Sequence, residues 1–161
     1  MFDGFREDKS YASYSEKKRL GGVFVKAKPG ILGAAKNGGS LESMLDRMDE
    51  GFAKTLFEYI DMKGLSDVEA YKRSNVGKKT FSKIKCSSDY HPSKITAVSF
   101  AIGLRLNLKE TRRLLATAGM CLSRSNKFDV IIEYFITSGN YKSIFDVNEV
   151  LYQFDQPLLG V

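Results

Sequence analysis

From Ser40 onward, apolar residues recur every three or four positions, in segments that glycine or helix-capping residues repeatedly end. This spacing is typical of amphipathic helices, and the stop signals keep each helix short. Short amphipathic helices can bury their apolar faces only against one another. The chain shows no internal repeat and no alternation of strands with helices. The sequence therefore predicts an all-α domain over residues 40–161.

The capping signals place the individual helices. Ser40 and Gly64 bound a long first helix, with Met48, Phe52 and Leu56 on its apolar face. Ser66-Asp67-Val68-Glu69 is a capping box, in which the serine accepts from a free amide and the glutamate reaches back. Six further helices are predicted. They cover Ser66 to Ser74, Lys78–Lys85, Pro92 to Leu104, Lys109–Ala118 (with Asn107 as its cap), Lys127–Ser138 and Ser143–Phe154.

Residues 1–39 differ from the rest of the chain. They are rich in Ser, Lys, Gly and Tyr, and glycine pairs and a Pro-Gly step interrupt them. Only Val23–Lys26 has the composition of a short strand, and no strand partner is evident elsewhere. We predict a mostly irregular basic arm over 1–39, whose Tyr11, Tyr14 and Phe24 mix aromatic rings with positive charge.

Positive charge is concentrated in the middle and at the N-terminal end of the chain. The formal net charge is +6 and the isoelectric point is near 9.2. Residues 65–127 hold 13 Lys/Arg against 4 Asp/Glu, whereas residues 128–161 hold 1 against 5. This separation of a basic central segment from an acidic C-terminal one favours a polyanionic partner for the central segment.

The composition argues against several functional classes. One histidine and two distant cysteines, Cys86 and Cys121, supply too few ligands for a structural zinc site. A serine triad would require His91, which lies in a polar loop, and no nucleophile-elbow sequence is present. We therefore expect no enzyme, no cofactor and no metal. The start of the chain lacks a signal peptide's apolar core, and the longest apolar stretch, Ala97–Leu104, is too short to span a bilayer. These features predict a cytoplasmic protein without a membrane partner.

Residues 66–85 have the pattern of a helix-turn-helix. Two short helices flank Asn75 and Gly77, residue types that accept unusual backbone angles at low cost. Val76, Phe81 and Ile84 are predicted to hold the second helix in the core. Its outward side chains are then Lys78, Lys79, Ser82, Lys83 and Lys85. Lysine suits phosphate oxygens and guanine edges, and serine can pair with bases or phosphate.

With the two helices that follow, this stretch resembles the phage-repressor and Cro type of DNA-binding domain over residues 41–118. The resemblance implies a five-helix bundle whose third helix contacts DNA. That family usually has a small residue, typically alanine, where the second helix crosses the third. Counting back from Val76 and Phe81 puts Tyr71 at this crossing, and Ala70 serves there only if the crossing is shifted.

A second resemblance covers roughly residues 40–160. It rests on five stretches: 68–73, 81–84, 92–94, 125–129 and the C-terminal Phe-Asp-Gln-Pro-Leu-Leu-Gly of 154–160. These stretches are similar to a bacterial helix-turn-helix-like module that occurs alone or behind other domains, including macro-type ones. This resemblance implies a fold but no specific biochemical function.

Two hypotheses of function follow. The first is sequence-specific binding of double-stranded DNA, such as autoregulation of a phage or mobile-element operon, with a homodimer reading the operator. Base contacts are assigned to Lys78, Lys79, Ser82 and Lys83, and phosphate contacts to Arg73, Lys85, Lys94, Arg112 and Arg113. The alternative is a protein-interaction module, or an inhibitor or antitoxin-like factor, that captures a protein or RNA through residues 1–39.

Overall fold

The computed structural model describes residues 41–45, 50–87 and 90–160, and this part of the chain is all-α. The chain divides into two units, Met1–Met48 and Asp49–Val161. The predicted arm and its short strand at Val23–Lys26 lie outside the described residues. The short helix α1, Leu41–Leu45, belongs to the first unit.

The second unit contains seven helices within its described residues. They are α2 (Phe52–Met62), α3 (Asp67–Arg73), α4 (Lys78–Cys86), α5 (Lys94–Gly103), α6 (Leu108–Ala116), α7 (Lys127–Ser138) and α8 (Ile144–Gln153). Helices α2 to α6 form the bundle that includes the helix-turn-helix of α3 and α4, and α7 and α8 extend it. The predicted fold class is confirmed, and the predicted helix bounds hold to within two residues from α3 onward.

The prediction of one continuous helix from Ser40 to Gly64 is wrong. Helix α2 begins at Phe52, and the residue before it, Gly51, has an extended backbone with φ −65° and ψ 166°. Glycine inside a helix costs about 1 kcal/mol relative to alanine, because its backbone loses more freedom. The apolar spacing runs on across Gly51, but the backbone starts a new helix there.

Six of the described helices are followed, within three residues, by a residue with left-handed backbone. After α2, α6 and α7 this residue is glycine, at positions 64, 119 and 139. After α3, α5 and α8 it is Asn75, Arg105 or Asp155, with φ between 51° and 54°. A left-handed residue lets the next amide bond back to the last helical turn. The residues that follow Asn75 and Arg105, Val76 and Leu106, are buried, so the chain turns into the core at both positions.

Helix α5 is the centre of the core. Its residues from Ala97 to Ile102 are all buried, and it packs against α3, α6 and α8. Helix α7 packs against α6 and α8. Burying a side chain such as Phe100 or Ile102 stabilises the fold by about 1.5–3 kcal/mol. Because α3 lies directly on α5, the first helix of the helix-turn-helix has a rigid support.

Candidate nucleic-acid interface

The turn between α3 and α4 is built by local hydrogen bonds. The amide of Asn75 donates to the Lys72 carbonyl at 3.0 Å, and the amide of Val76 donates to the Tyr71 carbonyl at 2.9 Å. Asn75 has φ 51°, the left-handed conformation expected of a turn residue, whereas Gly77 has an ordinary φ of −63° and acts as the N-cap of α4. The turn therefore depends on the asparagine and not on the glycine.

Phe81 anchors α4 to the bundle. It is 4% exposed, and its ring centroid lies 5.6 Å from those of Phe57 and Tyr71 and 6.1 Å from that of Phe100. Together with Ile84, which is fully buried, it holds α4 from one side. The predicted inward residues are confirmed.

The opposite side of α4 is open to solvent. Lys78, Lys79, Ser82 and Lys83 are all exposed. At roughly 100° per residue they span an arc of about 140°, whose centre lies opposite Ile84. None of these three lysines has a carboxylate partner within the described residues. This arc is named the α4 basic face.

The other predicted contacts pair with the chain's own carboxylates. Lys85 lies 2.6 Å from Asp67, and this hydrogen bond is the main reason that the pKa of Lys85 is raised. The other exposed pairs are Arg73–Glu69 at 3.6 Å, Arg112–Glu133 at 3.5 Å and Arg113–Glu58 at 3.6 Å. Exposed pairs of this kind contribute about 0–1 kcal/mol each, so an approaching phosphate can compete for their cations.

Lys94 has a different environment. Its side chain is 34% exposed and its ammonium lies 2.6 Å from Asp129, whose side chain is 1% exposed. The same carboxylate oxygen accepts from the Ser123 amide at 2.8 Å. Withdrawing Lys94 toward a phosphate would leave a buried carboxylate without its cation, which is costly. Among the predicted phosphate contacts, Lys94 is the least free to move.

The small residue of α3 takes the buried position. Ala70 is fully buried, whereas Tyr71 is half-buried with its ring against Phe81. Since α3 packs on α5, the alanine allows close approach to that helix. At Gly103 of α5, a Cβ would lie 2.6 Å from the Ser74 Cα, so the end of α3 touches the end of α5 backbone to backbone.

One contact with the turn was not predicted. Leu159, near the C-terminus, is fully buried, and its carbonyl accepts from the Asn75 side-chain Nδ2 at 3.5 Å. The side chain of Asn148, on α8, forms hydrogen bonds with both the amide and the carbonyl of Leu159. An apolar residue such as Leu159 near the C-terminus weakly indicates that this segment packs on the core. No local sequence pattern indicates that it contacts Asn75.

The histidine and the cysteines that the sequence analysis considered are all at the surface. His91 is exposed, and Cys86 and Cys121 are exposed free thiols. No group of three or more potential metal ligands is present among these residues. Nor do the described helices include one of the length and apolarity needed to cross a membrane.

Comparison of the chain with protein-family models, with curated proteins and with solved structures finds no match.

Proposed function

We propose that this protein binds double-stranded DNA through its helix-turn-helix, with α4 in the major groove, and regulates transcription. The observation that carries the proposal is the α4 basic face: Lys78, Lys79, Ser82 and Lys83 are exposed on a helix that Phe81 and Ile84 fix from behind. Base edges in the major groove are read by side chains of these types.

The N-terminus of α4 supports an anionic partner. No side chain caps it, its first turn contains no acidic residue, and its first two positions are Lys78 and Lys79. By contrast, Glu69 and Glu110 serve the N-termini of α3 and α6 in capping boxes. Free amides at a helix N-terminus favour a phosphate, and neighbouring ammonium groups strengthen that preference.

The sharpest test is the double variant Lys79→Ala/Lys83→Ala, which leaves the core of α4 intact. The wild-type chain is first used to select duplex DNA from a random pool, and affinities for that DNA are then measured over a range of salt concentrations. A hydrogen bond to a charged group contributes about 1.5–3 kcal/mol. The variant loses two such bonds, or about 3 kcal/mol or more, so we expect an affinity loss of at least about a hundredfold, since about 1.4 kcal/mol corresponds to a factor of ten.

A matched control separates these contacts from net charge. Lys109→Ala/Lys127→Ala removes the same two charges from exposed positions on α6 and α7. A lysine that enters the groove neutralises phosphate charge as well as contacting base edges. The Lys79/Lys83 variant should therefore lose about 1.8 from the slope of log affinity against log salt, because each neutralised phosphate contributes about 0.9. The control should keep the wild-type slope.

Two outcomes would refute the proposal: a wild-type chain that selects no duplex, or a Lys79/Lys83 variant that binds as tightly as the control. Either would favour the alternative function, a protein-interaction module.

One observation supports that alternative: Tyr134, Phe145, Tyr152 and Phe154 are exposed aromatic residues in the acidic C-terminal part of the chain. Exposed aromatic side chains in an acidic segment suit a protein partner, or a second copy of this chain, better than DNA.

A further inference from the structure

The C-terminal segment Gln156–Gly160 is folded back onto the bundle. After α8 the chain reverses at Asp155, with φ 54°, and the Gln156 amide donates to the Leu151 carbonyl at 2.8 Å. The Asn148 side chain then accepts from the Leu159 amide at 2.8 Å and donates to the Leu159 carbonyl at 3.1 Å. One side chain thus satisfies both backbone groups of a buried residue, which fixes the path of the segment.

The same segment touches the turn of the helix-turn-helix. A Cβ built on Gly160 would lie 2.4 Å from the Asn75 carbonyl oxygen and 2.5 Å from the Asn75 Cβ. Real Cβ atoms do not approach so closely, so only glycine allows the two backbones to meet here. Gly160 also has φ 78°, a conformation that other residues rarely adopt.

We propose that Gln156–Gly160 is a clamp that sets the orientation of α4 through Asn75, with Asn148 and Gly160 as positioning residues for DNA binding. The proposal rests on the proposed function. The direction of α4 relative to α3 depends on the backbone angles of the turn. Asn75 is the turn residue with a left-handed backbone, and the clamp packs against both its carbonyl and its side chain. A small rotation at this point would move the α4 basic face out of register with a duplex.

Gly160→Ala tests the clamp because the added methyl group must displace the segment from Asn75. The control is Gly139→Ala, at a residue with φ 63° and nothing within 4 Å of its added Cβ. The two variants share the strain of a left-handed alanine, and only the first disturbs the turn. Amide exchange of the full-length chain and affinity for wild-type-selected duplex DNA are measured for both variants.

We expect Gly160→Ala to bind the duplex at least tenfold more weakly than Gly139→Ala at a temperature where circular dichroism shows both fully folded. The amides of Asn75 and Val76 should exchange at least tenfold faster in Gly160→Ala, because the turn that holds them has loosened. Equal affinities, or equal exchange at these two amides, would overturn the clamp.

A second variant covers the case in which Gly160→Ala does not fold. Asn148→Ala removes both hydrogen bonds to Leu159 without adding a clash, and it should produce the same two effects. If the wild-type chain binds no duplex at all, the proposed function fails, and exchange at Asn75 and Val76 alone then decides whether the segment holds the turn.

Discussion

Replacing Phe81 by leucine measures how firmly α4 is held. The substitution keeps an apolar side chain at a site that is 4% exposed but removes a ring that meets Phe57, Tyr71 and Phe100. An aromatic pair contributes about 0.5–1.5 kcal/mol beyond the area that it buries. Counting the two nearer rings, we expect a loss of about 1–3 kcal/mol, with about 2 kcal/mol as the central value.

The assay is urea unfolding followed by circular dichroism. With a slope of about 2 kcal/mol per molar, a loss of about 2 kcal/mol lowers the midpoint by about 1 M. The control is Phe145→Leu, the same substitution at a side chain that is 64% exposed, which should change stability by no more than about 0.5 kcal/mol. If the two variants unfold at the same urea concentration, Phe81 does not anchor α4 and the reasoning about its exposed face fails.

Two further predictions concern the supports of the helix-turn-helix. Gly103→Ala should cost about 1–3 kcal/mol in urea unfolding, because its Cβ would overlap the Ser74 backbone, whereas Gly77→Ala, with open space around the added methyl, should cost less than about 1 kcal/mol. The hydrogen bond from the Ser66 amide holds the pKa of Glu69 below its ordinary 4.5, so its carboxylate stabilises the fold above that pH and the effect is lost as pH falls through the lowered pKa. Glu69→Gln should therefore be less stable than wild type at pH 6, and the gap in stability should narrow as the pH falls below 4.5; a gap that is independent of pH would contradict this.

Local chemistry explains why so much of the fold was predictable. Ser66 with Glu69, Ser93 and Asn107 cap helices through bonds to amides three residues away, and a sequence displays that spacing directly. The inward positions of Phe81 and Ile84 follow from the helical period in the same way. The break at Gly51 was missed because the apolar period on its two sides stays in phase.

Local spacing could not predict which basic side chains pair with carboxylates. Nothing in the sequence distinguishes Lys79, which is exposed without a carboxylate partner among the described residues, from Lys94, which holds a buried aspartate. The difference arises because docking of α7 brings Asp129 to Lys94 across 35 positions of sequence. The sequence therefore placed exposed lysines on α4 correctly, but it could not show which of the surrounding cations pair with carboxylates.

The sequence by itself determined the all-α fold of the residues that the structure describes, most helix limits and the lysine-bearing side of α4, because each of these depends on residues within about one helical turn of one another. Only the tertiary structure decided which cations pair with carboxylates and that Leu159 lies against Asn75, 84 residues away. Contacts of that range depend on how whole helices pack, and packing reflects the shapes of all the buried side chains together and not the spacing of any few.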